Sequence, residues 1–349
     1  MPLETPSWWY SKRGSLAKIM PGLLAPVAAL YGRTAASRLT QEPAYRSRLP
    51  VICIGNFTSG GGGKTPTAIA VAKLLKSMGK TPAFLTRGYG GNAKDVVAVA
   101  EHDASEVGDE PLLLAAIAPT FVSADRAAGA KAIEQTDADV IVMDDGFQNP
   151  GLAKDLSLIV ADGASGLGNG RVIPAGPLRA PLAAQMPHAT RSWSSARARR
   201  ATRSPSVSTR PVSRSCARRS RPIATRVGSA CCRRIGFAGI ARPSKFFATL
   251  KSSGARLVAS HGFGDHHRFT EKEARRLLDE AEAKKAMLVT TEKDWARLSD
   301  EDDDEEDSAL AELKKRSRPF PIAITFEDEE AVKALLRDAL GSAPPNGDR

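Results

Sequence analysis

Cysteine is scarce in this chain. Four residues in 349 give no disulfide framework, which suits a reducing compartment. Long apolar runs are missing as well. No stretch of 18 uncharged apolar residues occurs, so a conventional spanning helix is not expected. Aromatics make up 5% of the chain, while 42% is hydrophobic and 26% charged. That balance excludes disordered, collagenous and disulfide-stapled classes. The length calls for two domains, or one large domain with an insertion.

The most telling absence is local. Residues 188–234 contain no Asp, Glu, Lys, Leu or Phe, but 13 Arg, ten Ser and three of the four Cys (Cys216, Cys231, Cys232). At the frequency of the remaining chain this window should hold about six acids. The net charge of +11 therefore comes from one segment: elsewhere 37 basic residues face 39 acidic ones. A nucleic-acid partner is not expected on that balance. Arg, Ser, Pro, Ala and Cys are what a G+C-rich gene tends to yield out of register. Residues 187–234 thus read as an out-of-frame stretch between two compensating indels, with irregular, poorly packed chain. The competing reading is a genuine Arg/Ser-rich disordered insert that binds anionic lipid or nucleic acid.

Residues 1–40 hold a short apolar run, 16–30, broken by Lys18, Pro21 and Pro26 and preceded by Trp8, Trp9, Tyr10, Lys12 and Arg13. Aromatics and cations beside such a run suit a membrane interface. A helix packed on its own domain suits the same composition. A cleaved export signal is not expected, because no clean cleavage site is visible.

From residue 41 to 186, strand-like and helix-like segments alternate. Strands are predicted at 51–55, 81–86, 96–100, 120–124, 140–143 and 156–161, with helices at 65–78, 110–118 and 125–135. This predicts an α/β domain with a mainly parallel sheet. A second, smaller α/β domain is predicted over 235–342. Its strands are IGFAGIA, LVAS, MLVTT and PIAITF, and its helices lie near 243–252 and 270–283 and at the end. The acidic run 299–308 reads as a solvated loop.

The strongest motif is TSGGGGKT, residues 58–65, which follows an apolar strand and opens a helix. Thr58, Ser59, Gly60, Gly61, Gly62 and Gly63 would close backbone N–H groups on phosphate oxygens. The helix N-terminus adds positive potential. Lys64 would reach the β- and γ-phosphates of ATP, and the Thr65 hydroxyl would ligand Mg²⁺. A flexible glycine linker is the bland alternative, but the strand and the helix on either side favour nucleotide. The 140–143 strand runs into Asp144 and Asp145, an arrangement that holds Mg²⁺ directly or through water. No guanine-reading N-K-x-D occurs. Two classes remain open: a transport or switch NTPase, and a kinase acting on a small molecule.

Across both halves the chain resembles the tetraacyldisaccharide 4'-kinase family, the lipid A 4'-kinases of Gram-negative bacteria. The matching stretches are GNFTSGGGGKTPTA (55–68), LTRGYGG (85–91), VGDEPLLLA (107–115), MDDGFQN (143–149), GNGRVIPAGPLR (168–179), FAGIARPSKFF (237–247), FGDHHRF (263–269) and TTEKDWARL (290–298). Asn149 stands where the family usually has His. The resemblance implies that ATP phosphorylates the 4'-hydroxyl of a tetraacylated glucosamine disaccharide phosphate. It implies work at the cytoplasmic face of the inner membrane, with residues 8–30 in the headgroup region. It also implies Asp109 as the base and His266 as its partner from the second domain. Without it, Asp109 and Glu110 read as a helix-capping pair and His266 as structural. Arg87, Asn169 and Arg179 are further candidates for phosphate or sugar contacts. TTEKD reads equally as a strand-to-helix cap through Thr291 and Glu292.

Overall fold

The computed structural model describes residues 6–11, 14–60, 62–88, 95–99, 107–163, 165–189, 233–240, 242–265, 267–298, 308–321 and 324–341. Residues 7, 109, 191–194 and 218–219 are described by backbone alone. Gly61, His266, the 299–307 acidic run and most of the 187–234 segment lie outside the described residues.

A short 3-10 turn at Ser7–Trp9 is followed by two helices, α1 (Ser15–Leu23) and α2 (Ala25–Leu39), bent by 59°. Proline in the first turn of α2 starts the second helix without costing an internal hydrogen bond. Leu16, Ile19 and Leu23 are 61%, 63% and 69% exposed, and Val27, Leu30 and Tyr31 continue the exposed apolar surface. No single helix among the described residues is long and apolar enough to cross a membrane; the bent pair together passes on length and composition.

The chain then runs through β1 (Val51–Gly55), α3 (Lys64–Ser77), β2 (Pro82–Thr86), β3 (Val97–Ala98), α4 (Asp109–Ala115) and β4 (Thr120–Val122). It continues through α5 (Arg126–Ile133), β5 (Val140–Asp144), β6 (Leu156–Ala161), α6 (Leu182–Gln185) and β7 (Arg191–Ser194). Seven strands form one sheet in the order β3-β4-β2-β5-β1-β6-β7. Every neighbouring pair is parallel except β3–β4. Side chains along β1 alternate between faces with the strand period of two. Ile52 and Ile54 join Val140, Val142, Leu158 and the α3 residues Val71 and Leu75. Val51 and Cys53 join Ile141, Met143, Ile159 and the α5 residues Ala130 and Ile133 on the opposite face. Helices on both faces explain why β1, β2 and β5 are buried at every position.

The remaining elements are β8 (Arg218–Arg219), β9 (Arg233–Ala238), α7 (Pro243–Ser252), β10 (Arg256–Gly262), α8 (Glu271–Ala283) and β11 (Met287–Thr291). They are followed by α9 (Glu292–Arg297), α10 (Ala309–Arg316), β12 (Ser317–Phe320), β13 (Thr325–Phe326) and α11 (Glu329–Gly341). A second, all-parallel sheet has the order β10-β9-β11-β12. Thr270 starts α8 with a full capping box to Glu273.

The fold class is the expected one: a P-loop-type parallel sheet and a smaller α/β unit. Three local expectations are corrected. The PIAITF strand is displaced: Ser317–Phe320 pairs with β11, and Thr325–Phe326 pairs with β8 instead. The closing helix, assigned to the second domain, buries Val332, Leu336 and Ala339 in the core of the first sheet against α3. Its apolar stripe finds the uncovered part of the first sheet's helical layer. Finally, the Arg/Ser-rich window is not irregular throughout. Residues 191–194 form an edge strand, and Arg233 and Arg234 open β9.

Candidate active site

Parallel neighbours bring the ends of β1 and β5 to one edge, where ligands of open α/β sheets bind. Ile54 is in register with Asp144, and the Asp145 N–H donates to the Ile54 carbonyl at 3.0 Å. The glycine-rich loop leaves β1 at this edge and turns into α3. Gly63, at φ 84°, is the left-handed residue that caps α3. Thr58 bridges to Leu178, and the Ser59 N–H donates to the Pro177 carbonyl at 2.8 Å, so a second strap holds the base of the loop. Asn56 Nδ2 donates to the Gly60 carbonyl at 3.4 Å.

The two neighbouring acids face different partners. Asp144 is fully buried, and its Oδ2 accepts the Thr65 hydroxyl at 2.9 Å. Its Oδ1 has no hydrogen-bond partner. Burial, with Glu110 and Asp145 adding like charge, pushes its carboxyl up to about 7, against the opposing Lys64 and Thr65. Asp145 sits at φ 53°, a left-handed position that Asp tolerates. Its carboxylate is gripped by Arg179 at 2.7 and 3.1 Å and by Lys64 at 3.4 Å. Burial alone would raise its pKa; Lys64 and Arg179 outweigh that and hold it at about 2. Gly146 has no room for a side chain, as a Cβ there would lie 1.7 Å from Met143 Sδ. Arg179 is steadied by Gln148 at 3.3 Å, and Gln148 in turn donates to the Asn56 carbonyl at 2.7 Å.

Among the described residues no cluster of three His, Cys, Asp or Glu could hold a metal. A P-loop metal needs no such cluster, because phosphate oxygens complete its shell. The unpartnered buried Asp144 Oδ1 beside the Thr65 hydroxyl is the donor set such an ion takes.

Other expected site residues are distributed differently. Asp109 opens α4, with Gly108 as the cap position and no side-chain cap, and its side chain lies outside the description. Glu110 follows it and pairs with Lys293 of α9. Lys293 is the first cause of a lowered Glu110 pKa, opposed by burial and helped by Lys64. His266, the expected partner of Asp109, is outside the described residues. His267 stacks on Phe263 at 4.8 Å and meets Glu273 at 3.0 Å. Asn169 turns inward to the Ala175 carbonyl at 2.9 Å and the Arg171 N–H at 3.1 Å. Arg87 is exposed after β2. Asn149 accepts the Gly151 N–H at 2.7 Å and closes its own turn. Thr291 does cap α9, accepting the Asp294 N–H at 3.1 Å.

Several contacts here carry no signal in the sequence. Tyr10 donates its hydroxyl to the Ser59 carbonyl at 3.2 Å and lies under the Arg242 guanidinium. Arg242 and Lys245, at the start of α7, both reach Asp162 after β6, at 3.4 and 2.7 Å. Trp9, expected in a headgroup layer, is instead buried, with its indole N–H on the Pro174 carbonyl at 3.1 Å. Its backbone carbonyl accepts the Asn169 N–H at 2.8 Å, which pins the segment to the protein.

Residues 20–341 match the family model described as tetraacyldisaccharide-1-P 4'-kinase. Relatives called tetraacyldisaccharide 4'-kinase are similar over nearly the whole chain. The one from Methylobacterium radiotolerans is 47% identical, covering 91% of this chain and 94% of its own. The one from Dinoroseobacter shibae is 44% identical, covering 96% and 97%. A crystal structure of LpxK from Aquifex aeolicus in complex with ATP shares the fold, with a TM-score of 0.68 and 23% identity over 92% of this chain and 100% of that one. A match of this extent, on top of a nucleotide loop facing its paired acids, means that the chain belongs to the tetraacyldisaccharide-1-P 4'-kinase family.

Proposed function

We propose that the chain transfers the γ-phosphoryl group of ATP to the 4'-hydroxyl of a tetraacylated glucosamine disaccharide 1-phosphate, a step of lipid A biosynthesis. Family membership supplies the reaction. The observation that carries it at the residue level is the pairing of Lys64 with Asp145 and of Thr65 with Asp144 at the end of the parallel sheet. The first sheet takes the nucleotide through residues 58–65, and the second unit contributes to the acceptor side.

Thr65 and Asp144 are assigned the metal, and Asp145 the orientation of Lys64 and Arg179. Mg²⁺, when bound, neutralises charge on the β- and γ-phosphates. Lys64 is assigned to the transferred group, and Asp145, held by Arg179, pairs with it. A sugar hydroxyl is a weak nucleophile and needs a positioned base. Asp109 is assigned that role, taking the hydroxyl proton as the oxygen bonds to phosphorus and the bond to ADP breaks. His266 is assigned to orient or tune it. Single changes of either to Ala should depress kcat, with the double change costing much less than the sum.

The exposed apolar surface of α1 and α2 supports peripheral attachment to the inner membrane at its cytoplasmic face, where an acylated acceptor resides. The direct test is Lys64→Ala. Removing a phosphate clamp should slow transfer by on the order of 100-fold or more, about 3 kcal/mol of transition-state stabilisation. Near-parental transfer to the lipid acceptor would sink the assignment. An ATPase indifferent to acceptor would favour the second reading, an NTPase coupled to transport or switching.

A further inference from the structure

The second unit touches the nucleotide edge of the first through two sets of ion pairs among the described residues. One is the Arg242 and Lys245 grip on Asp162. The other is Lys293 on Glu110, two residues 183 positions apart in sequence. Glu110 stands next to Asp109, in the first turn of α4, and its carboxylate feels Lys64 across the site.

The helix that carries Lys293 is anchored behind. Thr291 caps α9 and donates its hydroxyl to Asp294 Oδ2 at 2.6 Å. Asp294 is fully buried and accepts Arg297 at 2.8 Å; Arg297 also donates to the Gly239 carbonyl at 2.9 Å. Gly239 packs so closely on His267 and Gly264 that a Cβ there would lie 3.0 Å from His267 Cβ and 3.1 Å from Asp294 Oδ1. Helix α9, Gly239 and His267 therefore form one packed piece. Wherever Lys293 is held, His267 is held as well.

We propose that Lys293 is a positioning residue for the phosphoryl transfer, registering the second unit on the start of α4 through its ion pair with Glu110. The proposal rests on the kinase reading above, with Asp109 and His266 drawn from the two units. The pair fixes the residue next to Asp109 against the piece that carries Gly239 and His267. Lys293 and Glu110 keep 29% and 25% of their side-chain surface exposed. A pair that keeps some access to water can break and remake, which suits a contact that must open for substrate and close for chemistry. At the other junction two cations share one buried carboxylate, Asp162.

The test is Lys293→Met, which keeps the aliphatic stem and removes the charge, alongside Lys293→Arg. A misplacement of about 1 Å costs on the order of 100-fold in rate, so kcat with ATP and lipid acceptor should fall about 10- to 100-fold in Lys293→Met. ATP affinity, read by calorimetry without acceptor, should stay within about twofold, and Lys293→Arg should recover most of the rate. Unchanged kcat in Lys293→Met overturns the proposal. A parallel loss of ATP affinity overturns it too, since Lys293 would then belong to nucleotide binding. If Lys293→Met unfolds, the salt dependence of the folded Lys293→Arg variant decides: a kcat that falls at high salt supports the proposal, and a kcat unchanged by salt overturns it. Asp109→Ala separates the two readings. Intact transfer in that variant removes the dyad, and Lys293 is then judged on the split between kcat and ATP affinity alone.

Discussion

At Asp144 the carboxyl group titrates at about 7, while at Asp145, one residue on, it is held at about 2. The divergence comes from the partner sets and not from depth alone, because cations face only the second acid closely. An acid whose pKa rises on folding holds extra protons in the native state between its ordinary pKa and the raised one. Stability therefore falls as pH climbs through that window, from about 4 to about 7, and the penalty is complete above it. Asp144→Asn has no such titration. Without metal or nucleotide it should melt several degrees above the parent near pH 8, with the gap closing towards about pH 4. A gap that stays constant with pH would contradict the assignment. The same variant should lose transfer if Asp144 holds the proposed metal, which takes the ionised carboxylate.

Helices and strands show which parts of the molecule are legible in one sequence. Strands β1, β2, β6 and β11 lie where apolar runs predict them, because both faces are buried and every position is apolar or small. The nucleotide loop is legible because its chemistry is local: glycines, Lys64 and Thr65 are contiguous. PIAITF is misleading for a physical reason. A parallel edge strand is chosen by backbone pairing with β11, which SRPF meets one segment earlier with only Phe320 and Ser317 buried. Amphipathic spacing in α11 states that one face is covered, not by what. That helix returns to α3, so it belongs energetically to the nucleotide unit. Leu336→Ala should cost about 2–5 kcal/mol, seen as a lower Tm that bound ATP partly restores. A Tm within a degree or so of the parent would mean that the helix does not pack there.

At the scale of the whole molecule, three parts distant in sequence converge on one loop. The N-terminal segment reaches Ser59 through Tyr10, the second unit stacks Arg242 on that same ring, and Asp162 ties Arg242 back to the first sheet. None of these contacts has a motif, since each joins residues whose proximity only the folded chain creates. A biochemist wanting a detergent-free protein would be drawn to cut the chain before residue 41, discarding the greasy surface of α1 and α2. The shortened protein should indeed leave lipid vesicles. It should also lose the Tyr10 hydrogen bond to the Ser59 carbonyl, and its KM for ATP should rise about 3- to 10-fold, the value of one hydrogen bond. Tyr10→Phe in the full chain should reproduce the nucleotide defect while still sedimenting with vesicles. If it binds ATP as the parent does, the brace is idle and solubility comes without penalty. If not, the N-terminal end of this enzyme is part of its nucleotide site, and trimming for convenience would quietly yield a poorer catalyst.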